Sequence, residues 1–178
     1  MKKEIGKDRQ RNVMCMGRDL IHLHDISRDG ERWEFVQRLT DDKIGECFLV
    51  STHGRVYECA TQKICRLYDD CKSGYLAVSL QQCPQGFKNY KVHRLVALGF
   101  IKNPDKETKT IVHHVNGRRK DNRAENLLWV SEAEHKLLHI AKKKDELSYY
   151  QLIAELRKQQ PIKQGDNAIS LENWEEIA

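Results

Sequence analysis

The sequence predicts an α+β fold in which a small β-rich N-terminal module precedes a ββα unit and C-terminal helices. Three observations carry this. Short β-prone runs broken by turn residues fill the stretch from about Trp33 to Gln82. The order strand, loop, strand, helix is then readable between Ile111 and Lys144, and a second helical period runs from Glu146 to Lys158 before Pro161.

The first thirty residues are mixed in charge and weakly periodic, with one short apolar run at Leu20–Leu23, which predicts an extension or a docked arm. The runs Cys47–Ser51, Arg55–Tyr57 and Gly74–Ser79 alternate with turn signals at His53-Gly54, Asp69-Asp70 and Lys72-Ser73-Gly74, as expected of a small antiparallel sheet. From Lys91 to Phe100, Val92, Leu95, Val96 and Leu98 or Gly99 recur at helical spacing, and Asn103-Pro104 ends the pattern.

Thr110–Val115 and Leu127–Val130 are β-prone, and Asn116-Gly117 opens the turn-rich stretch between them. Ser131 and Glu134 have the spacing of a capping box, in which each side chain satisfies the other's orphaned backbone donor, so a helix should begin there. Residues 170–178 are expected to cap and form one more short helix. The division that follows is 1–31 as an extension, 32–100 as the β-rich module with its closing helix, 101–144 as the ββα unit and 145–178 as a helical tail.

At 178 residues, the chain suits one domain or two small modules sharing a core. No run approaches the roughly eighteen apolar residues of a spanning helix, and the Lys-rich start lacks an apolar signal region. No membrane association and a cytoplasmic location are therefore expected. None of the six cysteines forms a C-x-x-C pair, so in a reducing compartment they read mainly as small buried apolar residues, with a Cys-ligated structural metal as the alternative.

The formal net charge is +5, and its distribution says more than its size. Between Gly86 and Arg123 ten Lys or Arg stand against three acids, whereas the last eighteen residues hold Lys163 against Asp166, Glu172, Glu175 and Glu176. The positive field is central, where nucleic acid would be engaged.

Four of the eight histidines fall between positions 113 and 139. His135 and His139 are four apart on the capped helix, so their rings project from one face a turn apart and can share a metal. Such a pair alone also describes ordinary surface or core histidines. His113 and His114 are strand neighbours pointing in different directions, so one can ligate while the other stays free. Three ligands would leave open positions on the ion, as catalytic sites do; the structural rival is a closed four-histidine zinc site.

Residues 111–130, followed by Glu134-His135 and His139, resemble the HNH nuclease motif of the ββα-metal class. More narrowly they are similar to phage and intron-encoded homing endonucleases of that class, in which a stretch like Val92–Ile101 precedes the motif. Upstream, Phe48–Val56 and Gly74–Leu80 resemble the β-rich module that often precedes it. The resemblance covers roughly Trp33 to Ile140 and is specific in its second half.

Carried over by motif position, it implies His113, His135 and His139 as metal ligands, His114 as general base and Asn126 as the asparagine that holds the loop and the base. One divalent metal ion is implied, Mg²⁺ or Mn²⁺ for activity, with Zn²⁺ suited to three His ligands. Some homing relatives use Asp or Asn as ligands, so three histidines are a departure. Phosphodiester hydrolysis fits these residue types: a histidine titrating near pH 6.5 can deprotonate water, and a divalent ion can stabilise charge on the phosphate.

The expected partner is double-stranded DNA, met by Arg118, Arg119, Lys120 and Arg123 in the motif loop and by Arg94 before it. The rival reading of that loop is a solvated charge run. For His93, on the short helix before the motif, simple packing is one reading left unranked, and Trp129 is expected to anchor the core under the ββα unit. A phage-encoded enzyme would act in the host cytoplasm, and monomer and homodimer both remain open. Two other readings stand beside the endonuclease: a DNA-binding protein that has lost cleavage, and a zinc-stabilised interaction module.

Overall fold

The computed structural model describes residues 22–23, 25–36, 39–40, 48–82 and 86–163. The expected helix at 170–178, most of the N-terminal extension, and Cys15, Cys47 and Cys83 lie outside these residues. Described strands are β1 (Trp33–Phe35), β2 (Phe48–Ser51), β3 (Val56–Glu58), β4 (Lys63–Ile64), β5 (Tyr68–Asp70), β6 (Tyr75–Gln82), β7 (Gly86–Lys91), β8 (Ile111–His114) and β9 (Leu127–Val130). Helices are α1 (Val92–Phe100), α2 (Glu132–Lys144) and α3 (Glu146–Lys158), with a 3₁₀ turn at Ala124–Asn126.

The α+β class is as the sequence predicts. The β-rich module, however, holds two antiparallel sheets in place of one, ordered β1-β2-β3-β4 and β5-β6-β7. Asp69 and Asp70 are the end of β5, opposite Leu76 and Tyr75, and the turn comes after them. Asp70 shapes it, its carboxylate accepting from the Lys72 amide at 3.3 Å and the Ser73 hydroxyl at 2.6 Å.

Helix α1 lies at the centre because its apolar residues sit at helical spacing. Val92, Leu95, Val96, Ala97 and Phe100 are buried in one cluster with Phe48, Val50 and Val56 of the first sheet, Val78 and Leu80 of the second, and Leu127 and Trp129 of β9. The β-rich module and the ββα unit therefore share a core. Trp129 is an anchor as expected, its indole N–H donating to the Ala97 carbonyl at 3.3 Å. Gln160, fully buried, brackets the Trp129 backbone by accepting from its N–H at 2.8 Å and donating to its C=O at 2.7 Å.

On the other face of the first sheet, Leu49 and Tyr57 pack with Trp33, Leu23 and Cys59. The end of the N-terminal arm is thus docked, and Glu31 secures it: its carboxylate is fully buried and ion-pairs with Arg55. Burial alone would raise the Glu31 carboxyl, but hydrogen bonds from Arg55, Ser51 and the Arg28 amide, with the Arg55 charge, hold it below its ordinary value. Glu31→Gln should cost about 2 kcal/mol at neutral pH, less than a fully enclosed pair because Arg55 keeps some solvent. A depressed carboxyl stabilises above its unfolded pKa and loses that contribution as pH falls through the folded one. Chemical denaturation should therefore find wild type and variant apart at pH 7 and converging at acid pH.

Cys59 is buried and Cys65 half-buried, with burial and then Glu58 pushing the Cys65 thiol up to about 11. Cys71 departs from the buried reading, since it is exposed in the β5–β6 turn. Among the described residues no helix is long and apolar enough to cross a membrane.

Candidate metal centre and neighbouring histidine

The two strand histidines are separated by the pleat. In the β8–β9 ladder His113 is opposite Leu128 and His114 opposite Leu127, and cross-strand partners share a face. Leu127 and Trp129 belong to the central core around α1, whereas Leu128 and Val130 pack with Leu138 of α2 and with Tyr149, Ile153 and Leu156 of α3. His113 thus enters the layer of the C-terminal helices, and His114 enters the layer of α1 and β6.

Helix α2 begins as the capping box predicts: Ser131 Oγ accepts from the Glu134 amide at 3.2 Å, and Glu134 accepts from the Ser131 amide at 2.8 Å. Glu134 also ion-pairs with the buried Lys109, tying the helix start to the loop that leads into β8. Leu138 is the buried contact of α2, which sets the rotation of the helix and turns His135 and His139, on either side of it, toward His113.

His113, His135 and His139 each offer a ring nitrogen, and these three atoms lie within 4.8 Å of one another. The His135 and His139 Nε2 atoms are 3.3 Å apart. Two nitrogens bound at about 2.0–2.1 Å on a tetrahedral ion are themselves separated by roughly that distance, so the donor set fits a divalent metal. Burial, followed by the charges of His135, His139, His114 and Lys142, pushes His113 down to about 4, so it is neutral with a lone pair available. Burial and then His139 likewise lower His135. Among the described residues no cysteine joins a metal-capable cluster.

Tyr149 of α3 stands against this centre. His113 Nε2 is 2.9 Å from its hydroxyl, which itself donates to the Val115 carbonyl at 2.6 Å. Burial and then Tyr150 push the phenol up to about 12.

His114 lies on the other side of β8. Its Nε2 donates to Asn122 Oδ1 at 3.2 Å, which leaves Nδ1 as the nitrogen with the lone pair. Its ring stacks on Tyr75, 5.7 Å between centroids, and meets His93 edge-on at 5.2 Å. Burial lowers the His114 pKa, with Asn122 and Asp121 opposing and Arg119 adding to the effect. His93 is buried beside it, and burial, then His114, Arg94 and Lys91, push it down to about 3.

Asn126 holds the loop but does not touch His114. Its Oδ1 accepts from the Asn116 amide at 2.9 Å, and its Nδ2 donates to Asn116 Oδ1 at 3.0 Å and to the Asp121 carbonyl at 2.8 Å. The contact with His114 expected of Asn126 is made by Asn122. Nothing in the sequence singled out Asn122 from the other polar residues of the loop, or Tyr149 from the other residues of its helix.

The basic residues are less free than their run suggests. Arg94 donates to the Thr110 carbonyl at 3.0 Å, with its guanidinium 5.7 Å from the Trp129 ring centroid. Arg119 donates to the Ser73 carbonyl at 3.0 Å and lies over Tyr75, Lys120 pairs with Asp69 at 2.5 Å, and Arg123 pairs with Asp121 and Glu125, each at 3.0 Å. Arg118 is exposed and has no ion pair with a described residue. Arg119 and Lys120 fasten the motif loop to the β5–β6 end of the second sheet, across the face that holds His114.

A two-stranded antiparallel sheet backed by a helix, with three histidines converging from strand and helix, defines the ββα-metal class. The HNH endonuclease family pattern matches residues 90–137, from the end of β7 into α2, a stretch that carries His113, His114, Asn126 and His135 and ends two residues before His139. Two HNH endonucleases of Acanthamoeba polyphaga mimivirus are 38% and 27% identical to the chain over 112 and 115 residues. Those stretches are 63% and 61% of this chain but 27% and 34% of the relatives.

The DNA endonuclease I-HmuI of Bacillus phage SP01 is 30% identical over 115 residues, 65% of this chain and 64% of that protein. A solved structure of DNA binding and cleavage by the HNH homing endonuclease I-HmuI matches the fold with a TM-score of 0.52 at 24% identity, covering 71% of this chain and 67% of that one. The chain is similar to these endonucleases, and it spans less than two thirds of the length of each of the three proteins matched by sequence.

Proposed function

We propose that this protein is a metal-dependent DNA endonuclease that hydrolyses phosphodiester bonds, of the homing type. The observation that carries the reading is the placement of a buried histidine, His114, on the opposite face of one strand from a three-histidine donor set. In this reading His113, His135 and His139 hold one divalent ion, and His114 Nδ1 takes the proton of the attacking water. A divalent ion at that centre supplies Lewis-acid stabilisation of charge on the phosphate and the departing oxygen.

Asn122 fixes the His114 ring so that Nδ1 faces the reaction, while Asn126 keeps the loop that carries Asn122 and the basic residues in shape. Arg118, Arg119, Lys120 and Arg123 set a positive field beside the site to hold the phosphate backbone, with Arg94 contributing from α1. The homing assignment rests on the likeness to I-HmuI and on the phage and giant-virus sources of the relatives.

The test is incubation of purified protein with supercoiled plasmid and with DNA carrying its own genomic neighbourhood, in Mg²⁺, Mn²⁺ or Zn²⁺ and in EDTA. Metal-dependent nicking or linearisation that EDTA abolishes is expected. Binding without cleavage on either DNA, in every metal, would mark the protein as a DNA-binding module that no longer cuts.

A further inference from the structure

We infer that Tyr149, on a helix outside the matched HNH segment, is a positioning residue that fixes the tautomer of His113 and so selects Nδ1 as its metal-binding atom. The inference rests on the metal centre proposed above. Proton accounting carries it. A tyrosine hydroxyl has one hydrogen, and the Val115 carbonyl 2.6 Å away can only accept, so that hydrogen is committed to Val115. His113 Nε2, 2.9 Å from the same oxygen and buried, must then be the donor, because a bare Nε2 would set lone pair against lone pair.

The proton on Nε2 leaves the lone pair on Nδ1, before any ion arrives. A metal-ligating histidine commonly donates its other ring N–H to an acceptor, which fixes the ring and raises its basicity. Here the acceptor is a phenol whose own proton is held by the backbone of Val115, the turn residue just past β8. Tyr149 is buried among Leu128, Leu138, Ile153 and Leu156, so the helix core holds the acceptor in place. The second and third ligands need no such device, since His135 and His139 are half-buried and exposed.

The experiment uses the full chain, metal-free, labelled with ¹⁵N in histidine. Long-range ¹H–¹⁵N spectra assign the protonated nitrogen of His113, and Zn²⁺ titration measures affinity in wild type and in Tyr149→Phe, which keeps the ring in its pocket. Expected are an Nε2–H tautomer in wild type, loss of that single tautomer in Tyr149→Phe, and affinity weaker by about 10- to 100-fold, with circular dichroism unchanged. An Nδ1–H tautomer in wild type, or a variant that binds Zn²⁺ as tightly as wild type, would overturn the role of Tyr149 while leaving the metal centre standing. Failure of the wild type itself to bind Zn²⁺ would overturn the metal centre, and this role with it.

Discussion

Replacing His114 by alanine is expected to lower DNA cleavage by roughly 10²- to 10⁴-fold while leaving metal affinity and DNA binding near wild-type values. The expectation follows from the pleat of β8. His114 is one residue from the proposed ligand His113, yet its ring lies in the α1 layer, against Tyr75 and His93, and it is not in the group His113, His135, His139. Removing it takes away a proton acceptor and nothing that holds the ion.

Single-turnover nicking rates, Zn²⁺ titration and gel-shift binding on the same preparation separate the possibilities. Loss of cleavage alone fits the general base. Loss of the metal together with cleavage would place His114 in a structural zinc site instead. A variant that cuts as fast as wild type would remove His114 from the chemistry and move the search for the proton acceptor elsewhere in the site.

The parts of this site that are legible in the sequence are those fixed by local periodicity. Spacing of four on a helix puts His135 and His139 on one face, alternation on a strand sends His113 and His114 to opposite faces, and a capping box marks where the helix starts. The fold class and the three helices follow from the same kind of pattern. What escaped are features set by register and tertiary contact. β4 has two exposed residues, and it is a strand because Lys63 and Ile64 fall opposite Glu58 and Tyr57, not because of its composition.

Asn122 and Tyr149 were missed for a related reason. The segment 116–126 contains three asparagines, and their roles differ only through what folds against them: Asn126 faces the loop backbone, Asn122 faces His114 and Asn116 caps the turn. Tyr149 is 36 residues from His113 in the chain and reaches it because α3 packs back on β9. The charge run was legible as a field but not as a set of contacts, since Asp69, Asp121 and Glu125 engage much of it.

The contact between Asn122 and the β-rich module gives the second large effect, expected from Gly54→Ala. Gly54 has φ +76 in the turn between β2 and β3, and a Cβ there would sit 2.8 Å from Asn122 Cβ and 3.2 Å from its carbonyl oxygen. The neighbour cannot simply swing aside: the same loop is tied back by the Ala124 amide donating to the Thr52 carbonyl at 2.8 Å. Alanine must therefore accept a left-handed backbone and push the Asn122 main chain, which together should cost about 2–4 kcal/mol. Because Asn122 is the residue that fixes His114, cleavage should fall about tenfold or more even at temperatures where the variant stays folded, a small misplacement being costly at a reacting centre.

Gly30→Ala is the matched control, with φ +66 and nothing within 4 Å of the added carbon. It carries the backbone strain without the collision, so it should lose about 1 kcal/mol and keep its activity. Unfolding midpoints and nicking rates of both variants decide the matter. Equal losses in the two would reduce Gly54 to an ordinary turn glycine, whereas an activity loss confined to Gly54→Ala would mean that the β-rich module sets the position of the histidine, and that the two halves of the chain act as one site.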